Sequence, residues 1–180
     1  ILNTHVVTLN VDSEIQTITI DSGGTLTMGG HLTLSGTSGT LFTRVGTFTA
    51  GTYIVRMKSD ASVTLTSGTF TGSNAFFNLI LNPTITAART YTFGSGAITI
   101  DGDFNINPSA ASALALTVDM AASITVAAGK TTTVTRTSSA TANLSTTASN
   151  HALTTGHIDI DAGGTLTANG STITLTGTLG

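Results

Sequence analysis

The chain has 180 residues, of which 40 are threonine and 17 serine, with six Lys and Arg against nine Asp and Glu and no cysteine. With 8% charged residues and a mean hydropathy of +0.33, it is too apolar for a disordered tail and lacks the charged heptads of a coiled coil. The missing cysteine excludes a disulfide scaffold and a thiolate metal site, and a formal net charge of -3 with dispersed cations gives nucleic acid no footprint.

In chain order the pattern has period two. Ile1-Leu2 stands near the start of a strand. Thr17-Ile18-Thr19-Ile20 alternates apolar with Thr, turns at Asp21-Ser22-Gly23-Gly24, and resumes as Thr25-Leu26-Thr27. Such alternation buries one strand face and exposes the other. The branched Thr side chain suits the exposed face of a pleated strand. Further strands are predicted at Val63-Thr64-Leu65-Thr66 and Ile98-Thr99-Ile100, with turn clusters Ser35-Gly36-Thr37-Ser38-Gly39, Gly94-Ser95-Gly96 and Asp101-Gly102-Asp103 between runs. Residues 110–128 are Ala-rich, but Leu114, Leu116 and Val118 alternate, which favours a strand over a helical turn. Thr131-Thr132-Thr133-Val134-Thr135 and Thr172-Ile173-Thr174-Leu175-Thr176 read as strands, and Thr178-Leu179-Gly180 stops within one. No run of about 18 apolar residues occurs, so no membrane-inserting helix is expected in this segment.

The run Ile18-Thr19-Ile20-Asp21-Ser22-Gly23-Gly24-Thr25-Leu26-Thr27 returns 140 residues later as Ile158-Asp159-Ile160-Asp161-Ala162-Gly163-Gly164-Thr165-Leu166-Thr167. A partial copy, Ile98-Thr99-Ile100-Asp101-Gly102, lies 80 residues after the first. Offsets in multiples of 20 predict an all-β, parallel β-solenoid, one domain over residues 1–180. At about 20 residues per coil and about 4.8 Å per coil this makes about nine coils and about 40 Å of rod. Crossover chirality predicts a right-handed β-helix. The alternative is an antiparallel β-sandwich with Asn169-Gly170 as a hairpin turn.

His5-Val6-Val7-Thr8-Leu9-Asn10-Val11-Asp12, followed by residues 15–26, resembles the opening of β-strand-repeat proteins on bacterial surfaces. Gly46-Thr47-Phe48-Thr49-Ala50-Gly51-Thr52, Gly72-Ser73-Asn74-Ala75-Phe76-Phe77-Asn78-Leu79 and the stretch from Tyr91 to Ile106 are similar to a recurrent internal unit of the same proteins. Filamentous-haemagglutinin-like and autotransporter-passenger-like solenoids are the broader relatives. The resemblance is weakest over residues 110–149. It implies a segment of a longer repetitive, secreted chain serving as stalk, adhesin or filament, and it carries no catalytic residue over. The start at Ile1-Leu2-Asn3, without Met or a basic-then-apolar leader, fits a processed form or a segment. An extracellular or cell-surface location is expected.

No motif here predicts an enzyme. Gly129-Lys130-Thr131 has Ile124 where a phosphate-binding loop needs glycine, and a strand rather than a helix follows. Asp101, Asp103 and Asn105 place oxygens at alternate positions, a candidate calcium site. The EF-hand form fails there, so no cofactor is expected. His157, Asp159 and Asp161 share a strand face, but His5, His31 and His151 are scattered. The nine acids are spread thin, with Asp101/Asp103 and Asp159/Asp161 as close pairs, so a polysaccharide-degrading β-helix enzyme, which needs two carboxyls across a cleft, is the least favoured alternative. The candidate binding surface is a Thr face made of Thr25, Thr27, Thr47, Thr49, Thr64, Thr66, Thr165 and Thr167, with Thr84/Thr86 and Thr172/Thr174 as further pairs. Such a face would serve ice or glycan, with Tyr53, Tyr91, Phe76 and Phe77 as possible sugar-stacking rings. The expected partners are neighbouring repeats or further copies stacking end to end on uncapped edges, with host or matrix glycans as the second class.

Overall fold

The computed structural model describes residues 1–146 and 149–177; the expected terminal strand residues Thr178, Leu179 and Gly180 lie outside them. The strands stack in layers. Layer one carries β1 (Val6–Leu9), β2 (Ser13–Ile15) and β3 (Ile18–Ile20). Layer two carries β4 (Thr25–Met28), β5 (Leu32–Leu34) and β6 (Thr40–Arg44). Layer three carries β7 (Thr47–Thr49), β8 (Ile54–Met57) and β9 (Val63–Ser67). Layer four opens on a single 3-10 turn, Gly72–Asn74, in place of a strand, and continues with β10 (Asn78–Leu81) and β11 (Arg89–Phe93). Layer five carries β12 (Ile98–Ile100), β13 (Phe104–Ile106), β14 (Ser109–Ala110) and β15 (Ala115–Met120). Layer six carries β16 (Ile124–Val126), β17 (Thr131–Val134), β18 (Thr137–Ser138) and β19 (Thr141–Ser145). Layer seven carries β20 (Leu153–Thr155), β21 (His157–Ile160) and β22 (Gly164–Thr167), and β23 (Ile173–Leu175) begins the next.

These strands form three sides. The first is β1-β4-β7 above and β12-β16-β20-β23 below. The second is β2-β5-β8-β10-β13-β17-β21, and the third is β3-β6-β9-β11-β15-β19-β22. The short pair β14-β18 adds a ridge at the corner between the second and third sides. Every pairing among the described strands is parallel, which makes the fold a β-solenoid and removes the sandwich alternative. Asn169-Gly170 is accordingly no hairpin: Ser171 N donates to Ala168 O in a corner between β22 and β23, which lie in different sheets.

Seven strands on a side are joined by six full turns, so the expected nine coils are corrected to about six. The even 20-residue lattice fails with it. A turn takes 19 residues between Ser13 and Leu32, but 28 between Phe104 and Thr132 and 29 between Ile124 and Leu153. Corner insertions, including the β14-β18 ridge, absorb the extra length.

The three sequence copies do not occupy equivalent places. Residues 18–20 lie on the third side, 98–100 on the first and 158–160 on the second. What the first and last share is a corner turn. Gly24 N donates to Asp21 O around Gly23 at φ 77°, and Gly164 N donates to Asp161 O around Gly163 at φ 79°. Glycine at a positive φ in the third position is what such a turn requires. A strand-turn-strand unit of this kind fits any corner of a three-sided coil.

Alternation fills the interior. On the second side Ile15, Leu34, Met57, Leu81, Ile106, Val134 and Ile160 stack one above another in register. Where layer four lacks a first-side strand, Phe70 and Phe76 bridge in parallel to Ile98 and Ile100 and turn their rings inward. They pack with Phe42 and Phe48 at centroid distances from 4.7 to 6.2 Å, a cluster that fills the space. Asn74 Oδ1 accepts the Phe48 N–H that the missing strand leaves unpaired. Residues 115–120 form the strand expected from their alternation, with Leu116 and Val118 fully buried.

Candidate binding face

Each side presents outward the residues that alternate with the core. On the third side two columns run down the rod. One is Thr40, Thr64, Thr92, Asp119, Ser145 and Thr167; the other is Thr90, Thr117, Asn143 and Thr165. Strand geometry spaces the columns by about 6.6 Å and their members by about 4.8 Å. Asp119 is the single charge in them. At the top, Ser62 Oγ accepts the Thr90 N–H, and Gly39 has no side chain to fill the space beside it. Gly39, Ser62, Val63, Thr64, Thr90 and Thr92 line an open depression of about 310 Å³.

The eight threonines read from sequence do not form one face. Thr25, Thr27, Thr47 and Thr49 make a two-by-two array on the upper first side. Thr64, Thr165 and Thr167 lie on the third side. Thr66 points inward, fully buried between Phe42 and Phe93, and its Oγ1 has no partner. A straighter ladder was missed: Thr99, Thr125, Thr154 and Thr174 stack in one outward column on the lower first side. An Ile or Leu directly before each Thr marks the members, but the unequal turn lengths hide that they align.

The second side is different. Its outward column is Glu14, Thr33, Arg56, Ile80, Asn105, Thr133 and Asp159, mixed in charge. Beside it, where the first side turns into the second, side-chain acceptors replace carbonyls in joining layers. Asp12 Oδ1 accepts from His31 N at 2.7 Å, and His31 Nδ1 accepts from Ile54 N at 3.0 Å. Lower down, Asn78 Oδ1 accepts from Asp103 N at 2.6 Å, and Asp103 Oδ1 from Thr131 N at 3.0 Å.

That relay places the calcium candidates. Asp103 is engaged by the backbone of the next layer, Asp101 is exposed at the corner, and Asn105 faces outward between Ile80 and Thr133. Among the described residues no three His, Asp or Glu side chains gather closely enough to hold an ion. His157 and Asp159 stand on β21 and Asp161 in the turn after it, apart from His5, His31 and His151. Gly129-Lys130-Thr131 is a corner leading into β17, where a strand was expected.

Two of the four expected sugar-stacking rings are core residues. Tyr91 and Phe76 are fully buried. The Tyr91 hydroxyl donates to Ser59 O, and burial pushes its phenol well above the ordinary value. Tyr53 is half-buried and edge-on to His31 at 5.8 Å, and Phe77 is partly buried against the core. At the corner near the depression, Thr86 N and Oγ1 donate to Asp60, and Arg89 Nε pairs with it at 3.1 Å.

No protein-family model matches the chain, no curated protein matches it, and no solved structure matches it.

Proposed function

We propose that this chain is a structural rod element of an extracellular or cell-surface protein, acting by stacking end to end with further solenoid layers and offering its flanks as contact surfaces. The observation that carries the reading is the exposure of inward side chains at both ends. Ile15 and Ile160 close the seven-residue ladder at 37% and 41% exposed, and Leu175 below reaches 61%. Seven of the eight exposed large apolar residues among the described ones lie in the first layer or below the sixth; Val45 alone is on the flank. Open parallel edges of this kind template further strands. The reading assigns no catalytic step and no cofactor.

Light scattering over a concentration series, with electron microscopy, tests it. The chain as it stands should form linear oligomers, and the pair Ile160→Lys and Leu175→Lys should return it to a monomeric rod about 30 Å tall. Monodisperse rods at every concentration, or equal association by the double variant, would overturn end-to-end self-stacking.

A second reading rests on the third-side columns: a hydroxyl-rich face with one charge would suit neutral glycan or an ordered water lattice. A glycan panel and an ice-recrystallisation assay on Thr92→Lys separate it from the first. Loss of activity in that variant, with assembly unchanged, would support the face. No activity in the unaltered chain would remove it.

A further inference from the structure

We propose that His31 is an acid-sensitive latch between layers two and three, released when its imidazole takes up a proton. His31 occupies the corner column that runs through Asp12, His31, Ile54, Asn78 and Asp103. Its Nδ1 accepts the Ile54 backbone N–H at 3.0 Å. An imidazole nitrogen that accepts an N–H carries no proton, so the neutral ring holds its hydrogen on Nε2. Protonation places N–H against N–H and the bond cannot persist.

A replacement partner is at hand. Asp12, in the layer above, already accepts the His31 backbone N–H at 2.7 Å. The imidazolium turns its Nδ1–H to that carboxylate and leaves the Ile54 N–H unpaired. The side chain thus exchanges a bond to layer three for an ion pair with layer one. The other groups facing it are the Tyr53 ring at 5.8 Å and, one outward position along the neighbouring strands, Glu14 and Arg56. Elsewhere in the column the same duty falls to acceptors that need no such loss: Asn78 Oδ1 takes the Asp103 N–H, and Asp103 Oδ1 takes that of Thr131. Of the side-chain acceptors that join layers here, Asp12, His31, Asn78 and Asp103, only His31 is an imidazole, so the bond that protonation breaks lies between layers two and three.

Amide hydrogen exchange of the full chain tests the latch, corrected for intrinsic rates, between about pH 8 and about pH 5, the span over which imidazoles titrate. Ile54 protection should fall about tenfold or more on acidification, relative to the Leu79 and Val118 amides, as expected when a buried donor loses its partner. His31→Asn supplies an acceptor that does not titrate, as Asn78 does two layers below, and Ile54 should stay protected across the range. Imidazole nitrogen shifts at high pH should report the Nε2–H tautomer. A flat Ile54 profile in the unaltered chain, an equal fall in His31→Asn, or an Nδ1–H tautomer would overturn the proposal.

Discussion

The middle and the ends of the rod are built from the same residues and differ in what covers them. Leu34, Met57, Leu81, Ile106 and Val134 are fully buried, while Ile15 and Ile160, in the same column and the same inward orientation, are more than a third exposed. A solenoid side chain is buried chiefly by its neighbours one layer up and one layer down, so an end residue loses one of the two. Burial in this fold is a property of stacking, and it is shared unequally along an otherwise uniform pattern.

Leu81→Ala against Ile160→Ala breaks that comparison most sharply. Leu81 touches Met57 above and Ile106 below, and its truncation should cost about 2–5 kcal/mol through lost transfer energy and a cavity that rigid neighbours cannot close. Among the described residues Ile160 has one layer partner, Val134, and it is 41% exposed; its truncation should cost about 1 kcal/mol or less. Thermal or denaturant unfolding of both variants measures the difference. Equal costs would mean that the lower end is covered in solution, which would in turn support end-to-end association.

A change of opposite sign sharpens the contrast from inside. Thr66 sits fully buried between Phe42 and Phe93, with its hydroxyl unpartnered. Thr66→Val keeps the branched shape and removes the stranded oxygen. Stability should rise by up to about 1 kcal/mol, because a buried donor without a partner costs more than its absence. A loss instead would show that the hydroxyl is satisfied by ordered water.

Thr66 also marks the limit of what sequence could reveal. Alternation made the strands legible, the repeat offsets pointed to parallel stacking, and Leu116 and Val118 turned inward as their spacing implied. Alternation could not say which member of a Val-Thr-Leu-Thr run faces inward once a register shift enters; β9 and β11 change register between Thr92 and Phe93, and Thr66 crosses to the core. Thr132 and Thr155 are buried as well, the first donating to the second at 3.0 Å. The even repeat misled for a related reason. A turn with Gly23 or Gly163 at its bend is a local structure, and local sequence does not record which corner it serves. The His31 relay was invisible because its members come from different layers, and only the register brings Asp12, His31 and Ile54 into line.

The smallest effect belongs to neither the core nor the ends but to the corner that ties layers three and four. Asp60 accepts from Thr86 N at 2.9 Å and Thr86 Oγ1 at 2.6 Å, and pairs with Arg89. The Thr86 hydroxyl bond, ahead of the Arg89 charge, holds its carboxyl below the usual range despite some desolvation. A carboxylate favoured by the fold stabilises it above the unfolded group's titration range, about pH 4, and that contribution is lost as pH falls through the folded value. The Asp60 side chain is 34% exposed, so solvent screens the pair and Asp60→Asn should cost no more than about 1 kcal/mol at neutral pH. The two proteins should converge in stability once pH has fallen through the lowered folded titration of Asp60, where the native carboxyl has also taken up its proton. A gap that persists unchanged into acid would assign the corner's stability to the shape of the Thr86 contact rather than to the charge on Asp60.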